Sequence, residues 1–394
     1  MNTETPISLI VNLSPLRPPL TGIGHYTREM LIRLLQNPQI KDVQGFYYHR
    51  WLQKEEIVKL LHPDSVSAST SSWLTKLIQF PGVRAAYRKS LHWIHRRKMA
   101  ALEGYVYWET NYLPLHFEGA TMVTVYDLSY VRYPQFHPVD RVNAFKGGLE
   151  KALKNSASVL TISTFSQDEI QNVFGIPKEK IAIIPPGTSA DFHPRSHDEV
   201  EPVRQKYLLP STYFLSVATI EPRKNLKNIV LAYGELEREV REKFPLVLVG
   251  ASGWLSDDLE PLIAPLEKQR MILRLGYVSQ DDLPSLYNGA SALFYLSLYE
   301  GYGMPVAEAI RSGIPVITSS LSSMPEVGGD CAWYADPSSV DSIVSAIRRM
   351  MASDSRLNPP ESESLPPPFI QTWDDSQRQL QELLVSISNA KRSQ

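Results

Sequence analysis

The sequence predicts an α/β protein with two doubly wound domains, and three observations support this class. The chain has 394 residues, more than one hydrophobic core usually organises and enough for two domains of about 150 to 200 residues each. Short apolar runs alternate with helical patterns, as in parallel sheets covered by helices. Between Pro185 and Pro210 proline, charge and turn residues interrupt this alternation, which then begins again. We therefore predict two lobes that face a cleft.

The predicted strands form one set in each domain. The first set covers residues 7–11, 43–48, 121–125, 158–162 and 181–184, and the second covers 213–217, 246–249, 272–275, 292–296 and 315–318. Ser166 and Glu169 fit a capping box, which predicts a helix that begins there. We expect an extended Ser-Pro-Glu-rich linker over 353–368 and a final helix over 374–388. The predicted domains are 1–205 and 206–371, with a C-terminal helix in 372–394 that packs back on the first domain.

Charge and cysteine content narrow the class of protein. The formal net charge is −2, so no overall field draws the chain to nucleic acid, and no recognition motif for nucleic acid is present. Cys331 is the single cysteine, which excludes an intramolecular disulfide and favours the cytoplasm. The N-terminus is polar, and no apolar run reaches the roughly 20 residues that span a bilayer. We predict a cytoplasmic protein without signal peptide, transmembrane helix or nucleic-acid partner.

A glycine loop follows the first predicted strand. Gly22 and Gly24 lead into an apolar-periodic helix, where glycine lets backbone amides approach a phosphate at the helix N-terminus. A nicotinamide-dinucleotide fingerprint needs a third glycine, and Thr27 occupies that position. The alternative is a turn that only joins strand and helix.

Two basic residues lie between a strand and a helix in the second domain. Arg223 and Lys224 precede the helix that begins near Leu226. A cation at a helix N-terminus opposes the macrodipole by about 0.3 to 1 kcal/mol, so an anion between the cations and the free amides is expected. A diphosphate fits this place, and the alternative is a pair of solvated basic residues.

The third loop carries two carboxylates. Glu300 lies in a glycine-containing loop after the strand 292–296, and Glu308 lies about one turn inside the next helix. Helix N-terminal amides suit phosphate or sugar oxygens, whereas carboxylates accept from hydroxyl groups. This combination predicts a site for a polyol attached to a phosphate. In the alternative, Gly301 and Gly303 serve turn geometry and Glu308 is a solvated helix residue.

The spacing of Glu300 and Glu308 resembles the signature of the retaining glycosyltransferases of family 4. The matching positions around it are Ser297, Tyr299, Gly301, Gly303, Pro305, Glu308, Ala309, Gly313, Pro315, Val316, Pro325, Glu326, Gly328 and Gly329. Further matches are the Gly22 and Gly24 loop, 127–128, 163–166, 185–187, 223–225 and 276–278, while 36–120 matches least. The resemblance implies the GT-B fold, in which two Rossmann-like domains face a cleft.

The resemblance also implies a role for each site residue toward a nucleotide-sugar donor. Arg223 and Lys224 would hold the diphosphate and neutralise its charge as the sugar leaves. Glu308 would accept hydrogen bonds from the ribose hydroxyls. The other implied donor contacts are Tyr277 and Val278 at the base, Gly22 and Gly24 at the phosphates, and Glu300, Gly303, Met304 and Pro305 at the sugar, with Ser297 in the same site.

The implied reaction is hexose transfer with retention of anomeric configuration, in which departure and attack share one face and need no glycosidase-like carboxylate pair. The preferred donor is GDP-mannose, and the predicted acceptor is a saccharide or lipid-linked saccharide of surface polysaccharide (lipopolysaccharide) biosynthesis. The sequence has no Asp-x-Asp motif and no metal-ligand spacing, so we predict no metal and no cofactor. The alternatives are a nucleotide-sugar epimerase or phosphorylase of the same fold, and a sugar-binding protein without activity.

One position departs from the family pattern. Tyr126 stands where the family often has a histidine before Asp127 and Leu128, which leaves the sugar preference open. We predict that Asp127 orients the acceptor or relays its proton. The alternative is a capped turn residue.

A basic and aromatic stretch lies in the first domain. Residues 65–102 contain no acidic residue, and 73–98 interleave tryptophan and aliphatic side chains with lysine and arginine. Such a stretch suits an anionic membrane surface and predicts peripheral contact at the inner face of the cell membrane. The alternative is a helical segment that packs its aromatic side chains inward and points its charges outward.

Overall fold

The computed structural model describes residues 6–18, 20–62, 93–251, 258–353 and 370–392. Within these ranges the chain forms two sheets, one of seven strands and one of six, with helices between the strands along the chain. The predicted α/β class with two doubly wound sheets is confirmed.

The first sheet carries the amino-terminal lobe. Its strands are β1 (Ile7–Asn12), β2 (Ile40–Tyr47), β3 (Arg50–Leu52), β4 (Val106–Glu109), β5 (Thr121–Thr124), β6 (Ser158–Thr161) and β7 (Ile181–Ile183). The order is β3-β2-β1-β4-β5-β6-β7, and every pair is parallel except β2 with β3. The strand order reverses between β1 and β4, and in open α/β sheets the ligand crevice lies beyond the carboxyl ends of such strands.

A buried polar network joins the carboxyl ends of β1 and β4. Glu109 accepts hydrogen bonds from the side chain of Asn12 at 2.7 Å, the hydroxyl of Tyr107 at 2.5 Å and the amide of Asn111 at 2.8 Å. Burial raises the pKa of Glu109 to about 7, although these hydrogen bonds lower it in part. The network fixes the start of both loops that leave the switch point.

The helices of this lobe are α1 (Gly22–Gln36), α2 (Lys54–Leu61), α3 (93–100), α4 (Ser129–Arg132), α5 (Val139–Asn155) and α6 (Thr164–Phe174). In α1 the buried side chains Met30, Leu31, Leu34 and Leu35 recur at helical spacing. This apolar stripe packs α1 into the core shared with β1 and β4.

The second sheet carries the other lobe. Its strands are β8 (Phe214–Val217), β9 (Leu246–Val249), β10 (Ile272–Gly276), β11 (Ala292–Tyr295), β12 (Val316–Ser319) and β13 (Trp333–Ala335), in the order β10-β9-β8-β11-β12-β13. Its helices are α7 (His197–Lys206), α8 (Leu226–Gly234), α9 (Arg238–Lys243), α10 (Glu260–Lys268), α11 (Leu283–Gly289), α12 (Met304–Arg311), α13 (Met324–Gly328) and α14 (Val340–Ala352). All strand pairs are parallel. The strand order reverses between β8 and β11, which places a second crevice at their carboxyl ends.

The last helix, α15 (Trp373–Arg392), contacts α1, β1 and β4 of the first lobe. Arg33 on α1 forms an ion pair with Asp374 at 2.6 Å. At Gly187 an ideal Cβ would lie 2.2 Å from the backbone nitrogen of Trp373, so glycine permits the backbone of the returning segment to pass.

Helix α7 belongs with the second sheet. It packs against α11, and Tyr207 just after it donates a hydrogen bond to Asp282 at 2.8 Å. The predicted division between residues 205 and 206 assigns this helix to the first domain. That division falls inside α7, a helix that packs with the second lobe.

Every predicted strand is present, but the structure contains three that were not predicted, namely β3, β4 and β13. The predicted capping box was wrong, because α6 begins at Thr164 and the hydroxyl of Ser163 accepts from the amide of Ser166 at 3.0 Å. The final helix is longer than the predicted 374–388. Most of the predicted linker lies outside the described residues.

Candidate active site

Arg223, Lys224 and Glu300 form one cluster at the carboxyl ends of β8 and β11. Arg223 Nη1 lies 2.9 Å from Glu300 Oε2, and Lys224 Nζ lies 2.6 Å from Glu300 Oε1. The second guanidinium nitrogen of Arg223 pairs with Glu221 at 2.7 Å. The hydroxyl of Tyr295 also donates to Glu300 at 2.9 Å. The sequence predicted these residues as neighbours around a ligand, and the structure pairs them directly.

The cluster is buried, and its charges hold one another ionised. Burial alone would raise the pKa of Glu300, but the charges of Arg223 and Lys224 outweigh it and lower that pKa to about 2. Burial alone would lower the pKa of Arg223, but the carboxylates of Glu300, Asp127 and Glu221 raise it above its ordinary value. Glu300 is therefore an ionised carboxylate that keeps two cations in place.

Local backbone geometry presents the two basic residues. Pro222–Lys224 forms a single 3-10 turn, and Asn225 ends it in the left-handed conformation at φ 59°. The side-chain amide of Asn225 donates to the carbonyls of Leu296 at 3.0 Å and Pro337 at 2.7 Å. Asn225 thus fastens the turn to the end of β11, which explains why the cations reach the Glu300 loop.

The glycine loop before α12 requires glycine at Gly303. This residue has φ 112°, and an ideal Cβ would lie 2.3 Å from the methyl carbon of Met324. Met304 and Pro305 then form the first turn of α12, with no side-chain cap. Pro305 has no amide hydrogen and the amide of Val306 already donates to the carbonyl of Gly303 at 3.0 Å, so the Met304 amide is the candidate donor to a sugar or phosphate oxygen.

Glu308 is buried on α12 and is not the solvated residue of the alternative interpretation. Its Oε2 accepts a hydrogen bond from the hydroxyl of Tyr287 on α11 at 2.7 Å. Burial raises the pKa of Glu308 to about 7, and the hydrogen bond from Tyr287 lowers it in part. A carboxylate in this state switches between proton donor and acceptor near neutral pH.

A cavity of about 270 Å³ lies at the carboxyl ends of β8, β9 and β10, and Ser216, Gly250 and Gly276 are among its lining residues. Tyr277 directly follows and is 65% exposed, whereas Val278 is buried. An exposed ring beside a cavity suits stacking on a base. Ser297 is fully buried next to the Glu300 carboxylate.

On the first lobe, Asp127 serves a turn. Its Oδ1 accepts from the amide of Ser129 at 2.9 Å and from the hydroxyl of Ser129 at 2.8 Å. The same carboxylate contributes to the raised pKa of Arg223, which places it within electrostatic reach of the second lobe. The turn role is observed, and the role toward an acceptor stays a prediction.

The phenol of Tyr126 points into the first lobe. Its hydroxyl donates to the carbonyl of Thr110 at 3.1 Å, and its ring packs edge-to-face against Tyr26 at 5.6 Å and Tyr112 at 6.1 Å. This side chain is 6% exposed. Tyr126, which stands where the family often has a histidine, is therefore used for packing inside the first lobe.

The glycine loop of the first lobe has a packing reason for one glycine. At Gly24 an ideal Cβ would lie 2.6 Å from the carbonyl oxygen of Pro15, whereas nothing lies within 4 Å at Gly22. Thr21 precedes α1 and makes no side-chain cap. Gly24 is needed for close packing, and the first-turn amides of α1 remain the part that can reach a phosphate.

Sequence reasoning missed Tyr295, Tyr287 and Glu221. The available signal was position, because Tyr295 is the last residue of a buried strand directly before the glycine loop. In the described ranges, no group of three or more His, Cys, Asp or Glu residues is arranged to hold a metal ion. None of the helices in those ranges is both long and apolar enough to cross a bilayer.

Comparison with known proteins agrees with this geometry. The family described as "Glycosyl transferases group 1" matches residues 200–362. The chain is 37% identical over 355 residues to the O-antigen chain mannosyltransferase B of Escherichia coli, and the match covers 89% of this chain and 92% of that protein. It is 26% identical to the O-antigen chain mannosyltransferase RfbU of Salmonella typhimurium strain LT2, over 87% of this chain and 90% of the relative.

Among solved structures, WaaG, a glycosyltransferase involved in lipopolysaccharide biosynthesis, superposes with a TM-score of 0.66 at 15% identity over 98% of both chains. Anabaena Alr3699/HepE in complex with UDP-glucose superposes with a TM-score of 0.64 at 13% identity, also over 98% of both. These two likenesses concern the fold. With the sequence identity to the first relative they lead to one conclusion: the chain belongs to the group 1 glycosyltransferases and has the GT-B fold.

Proposed function

We propose that this glycosyltransferase transfers mannose from GDP-mannose, with retention of configuration, to a saccharide or lipid-linked saccharide of surface polysaccharide. The observation that carries the proposal is the buried cluster of Arg223, Lys224 and Glu300 at the switch point of the second sheet. The relatives named as O-antigen mannosyltransferases support the choice of sugar and pathway. We also propose that the enzyme is cytoplasmic, where nucleotide sugars are available.

The cluster fits the electrostatic demand of sugar transfer. Negative charge develops on the diphosphate as the glycosidic bond breaks, and fixed cations in a water-poor site stabilise it more than solvent does. Within the cluster, the positive charges of Arg223 and Lys224 are balanced by the carboxylates of Glu221 and Glu300. The diphosphate therefore needs further donors, and the Met304 amide of α12 and the first-turn amides of α1 can supply them.

The occupancy of Glu300 argues against a covalent nucleophile. Its Oε1 accepts from Lys224 and Tyr295, and its Oε2 accepts from Arg223. A carboxylate that attacks the anomeric carbon needs a free oxygen directed at the sugar. Glu300 instead holds Arg223 and Lys224. This supports a reaction in which the diphosphate departs from, and the acceptor attacks, the same face of the sugar, while the two cations stabilise the leaving diphosphate.

An exposed face of α3 supports contact with the membrane. Trp93 is 63% exposed and Ile94 is 37% exposed. Arg96, Arg97 and Lys98 are also exposed, whereas His95 and Met99 are buried. Basic and aromatic side chains on one face of a helix bind anionic lipid surfaces. The rest of the predicted stretch, 73–92, lies outside the described residues.

The test is transfer with purified protein, a panel of nucleotide sugars and a lipid-linked saccharide acceptor, with and without EDTA. We expect GDP release and a mannosylated product that require the acceptor, unaffected by EDTA, since no metal cofactor is proposed. Lys224→Ala should lower the rate at least tenfold, because loss of one charged contact to the transition state exceeds about 1.4 kcal/mol. The matched control is Lys227→Ala, because Lys227 is 52% exposed and pairs with Asp258 on the surface.

Three results would contradict the proposal. Turnover of the donor to an epimer without acceptor would identify an epimerase. Binding of nucleotide sugars without transfer over the whole panel would identify a sugar-binding protein. Equal rates for Lys224→Ala and Lys227→Ala would show that the cluster takes no part in the reaction.

A further inference from the structure

Tyr299 of the second lobe is inserted into the first lobe. Its ring lies 5.4 Å from the ring of Phe165 and 5.6 Å from that of Tyr133, measured between centroids. Its hydroxyl accepts a hydrogen bond from the amide of Leu128 at 3.2 Å. The side chain is 4% exposed. A residue next to Glu300 thus contacts the segment that carries Asp127.

A carboxylate from the second lobe caps a helix of the first. Glu326 on α13 accepts from the amides of Thr164 at 2.8 Å and Phe165 at 3.1 Å, which begin α6. The next amide, of Ser166, is capped within the lobe by Ser163. A carboxylate at a helix N-terminus accepts hydrogen bonds from amides that have no partner within the helix, and its charge interacts favourably with the helix dipole. The contact between the lobes is therefore attractive and directional.

Close backbone approach completes the contact. At Gly301 an ideal Cβ would lie 2.0 Å from the carbonyl oxygen of Tyr126. The Ser166 hydroxyl lies within hydrogen-bond distance of two carbonyls, 3.2 Å from Tyr126 and 3.3 Å from Gly301. The φ of Gly301 lies outside the positive region that favours glycine. The three atoms nearest to that Cβ belong to Tyr126 and Asp127, so an alanine at 301 clashes with the other lobe.

The charge cluster is tied to this contact. Arg223 Nη1 donates to the carbonyl of Tyr299 at 2.8 Å as well as to Glu300. The Arg223 guanidinium therefore bridges the Glu300 carboxylate and the backbone of Tyr299. The site and the contact between the lobes are therefore mechanically linked.

We propose that Tyr299, Gly301 and Glu326 are positioning residues that fix the register of the two lobes, so that Asp127 faces the Arg223–Glu300–Lys224 cluster during transfer. The proposal rests on the proposed function for the transfer step. The register itself can be measured without turnover, so the failure of one proposal is distinguishable from failure of the other.

Hydrogen–deuterium exchange provides the measurement that is independent of activity. The probe is the peptide containing Thr164 and Phe165, with β9 (Leu246–Val249) as an internal reference in the core of the second lobe. Glu326→Ala removes the acceptor of both amides and should speed their exchange at least tenfold. Gly301→Ala touches neither amide and should speed the same exchange, because its methyl group separates the lobes.

Kinetics provide the second readout. Glu326→Ala should lower kcat at least fivefold while the dissociation constant for GDP, measured by calorimetry, changes less than twofold. Tyr299→Phe loses the hydrogen bond from Leu128 and the one to Glu169 at 3.4 Å but keeps the ring, and should lower kcat less than Glu326→Ala does. Glu237→Ala is the matched control. Glu237 lies directly before α9 and forms an exposed ion pair with Arg348 on α14, and both residues are remote from α6 in the sequence.

Unchanged exchange at Thr164 and Phe165 in Gly301→Ala, with β9 protected, would overturn the proposal. If Gly301→Ala also speeds exchange in β9, that variant has lost its fold and the kinetics of Glu326→Ala and Tyr299→Phe decide instead. A kcat equal to that of the wild type in both variants would then overturn the proposal. A loss of GDP affinity as large as the loss of kcat in Glu326→Ala would also overturn it, because that result would mean damage to the donor site. If the wild type transfers no sugar, the exchange data alone judge the register.

Discussion

Replacing Glu300 by glutamine tests the charge cluster as a source of stability. The change keeps the shape of the side chain and removes the carboxylate that pairs with Arg223 and Lys224. Lowering the pKa from 4.5 to about 2 corresponds to about 3 kcal/mol of stability at neutral pH. Removing one partner from a buried ion pair destabilises by about 3 to 5 kcal/mol, which is a consistent magnitude. We expect Glu300→Gln to lose about 3 kcal/mol at pH 7.

The pH dependence has a definite sign. The folded pKa is depressed, so the stabilisation is present above the unfolded value of 4.5 and is lost as pH falls toward about 2. The wild type should lose about 1.4 kcal/mol from this group by pH 3.5, and the variant should not. Urea unfolding followed by circular dichroism at pH 7 and pH 3.5 measures both values. Equal stability of the two proteins at pH 7, or a difference that does not shrink in acid, would refute the reasoning.

Three further predictions concern other parts of the molecule. Gly24→Ala should destabilise by about 1 to 3 kcal/mol through overlap with the Pro15 carbonyl, whereas Gly22→Ala, with open space around it, should be close to neutral in the same thermal unfolding scan. Glu308, the expected acceptor for the ribose hydroxyls, has a pKa of about 7 and becomes protonated as pH falls below 7. Calorimetry should therefore show that GDP affinity weakens below pH 7 in the wild type and is low and independent of pH in Glu308→Gln. The pKa of Glu109 is raised from 4.5 to about 7, so between these pH values the folded protein holds a proton that the unfolded chain has lost. The free energy of unfolding should therefore fall by about 3 kcal/mol from pH 4.5 to 7. Urea unfolding over this pH range should show that fall in the wild type and not in Glu109→Gln.

Strands that are buried on both sides were predictable from sequence, because continuous apolar runs such as 246–249 admit few other interpretations. Strand β4 was missed because Val106–Glu109 ends on a carboxylate, which is typical of a turn. In the structure the carboxylate is buried and accepts hydrogen bonds from Asn12 and Tyr107. The start of α6 was misplaced because Ser163 and Ser166 are both good caps. The structure decides between them, because the Ser163 hydroxyl accepts from the amide of Ser166, and Glu326 accepts from the amides of Thr164 and Phe165.

For the site, the residue types were predictable and their pairing was not. The loop positions of Arg223 and Glu300 follow from strand order, since both succeed strands that end at the same edge of the second sheet. That Glu300 binds the cations directly depends on the side chain of Asn225, whose contacts with Leu296 and Pro337 join distant parts of the chain. The buried orientation of Tyr126 likewise depends on Tyr26 and Thr110, which no local pattern places beside it.

The return of α15 to the first lobe has a consequence for biosynthesis. Domains generally fold as units while the ribosome is still adding residues. Strands β8 to β13 precede α15 in the chain, so the second lobe can finish while β1 and β4 still lack the helix that contacts them. The lobe that is synthesised first is therefore completed last. A premature stop codon just before Trp373 would spare every strand and yet leave an apolar face on the first lobe uncovered, which makes such a product a substrate for chaperones and proteases.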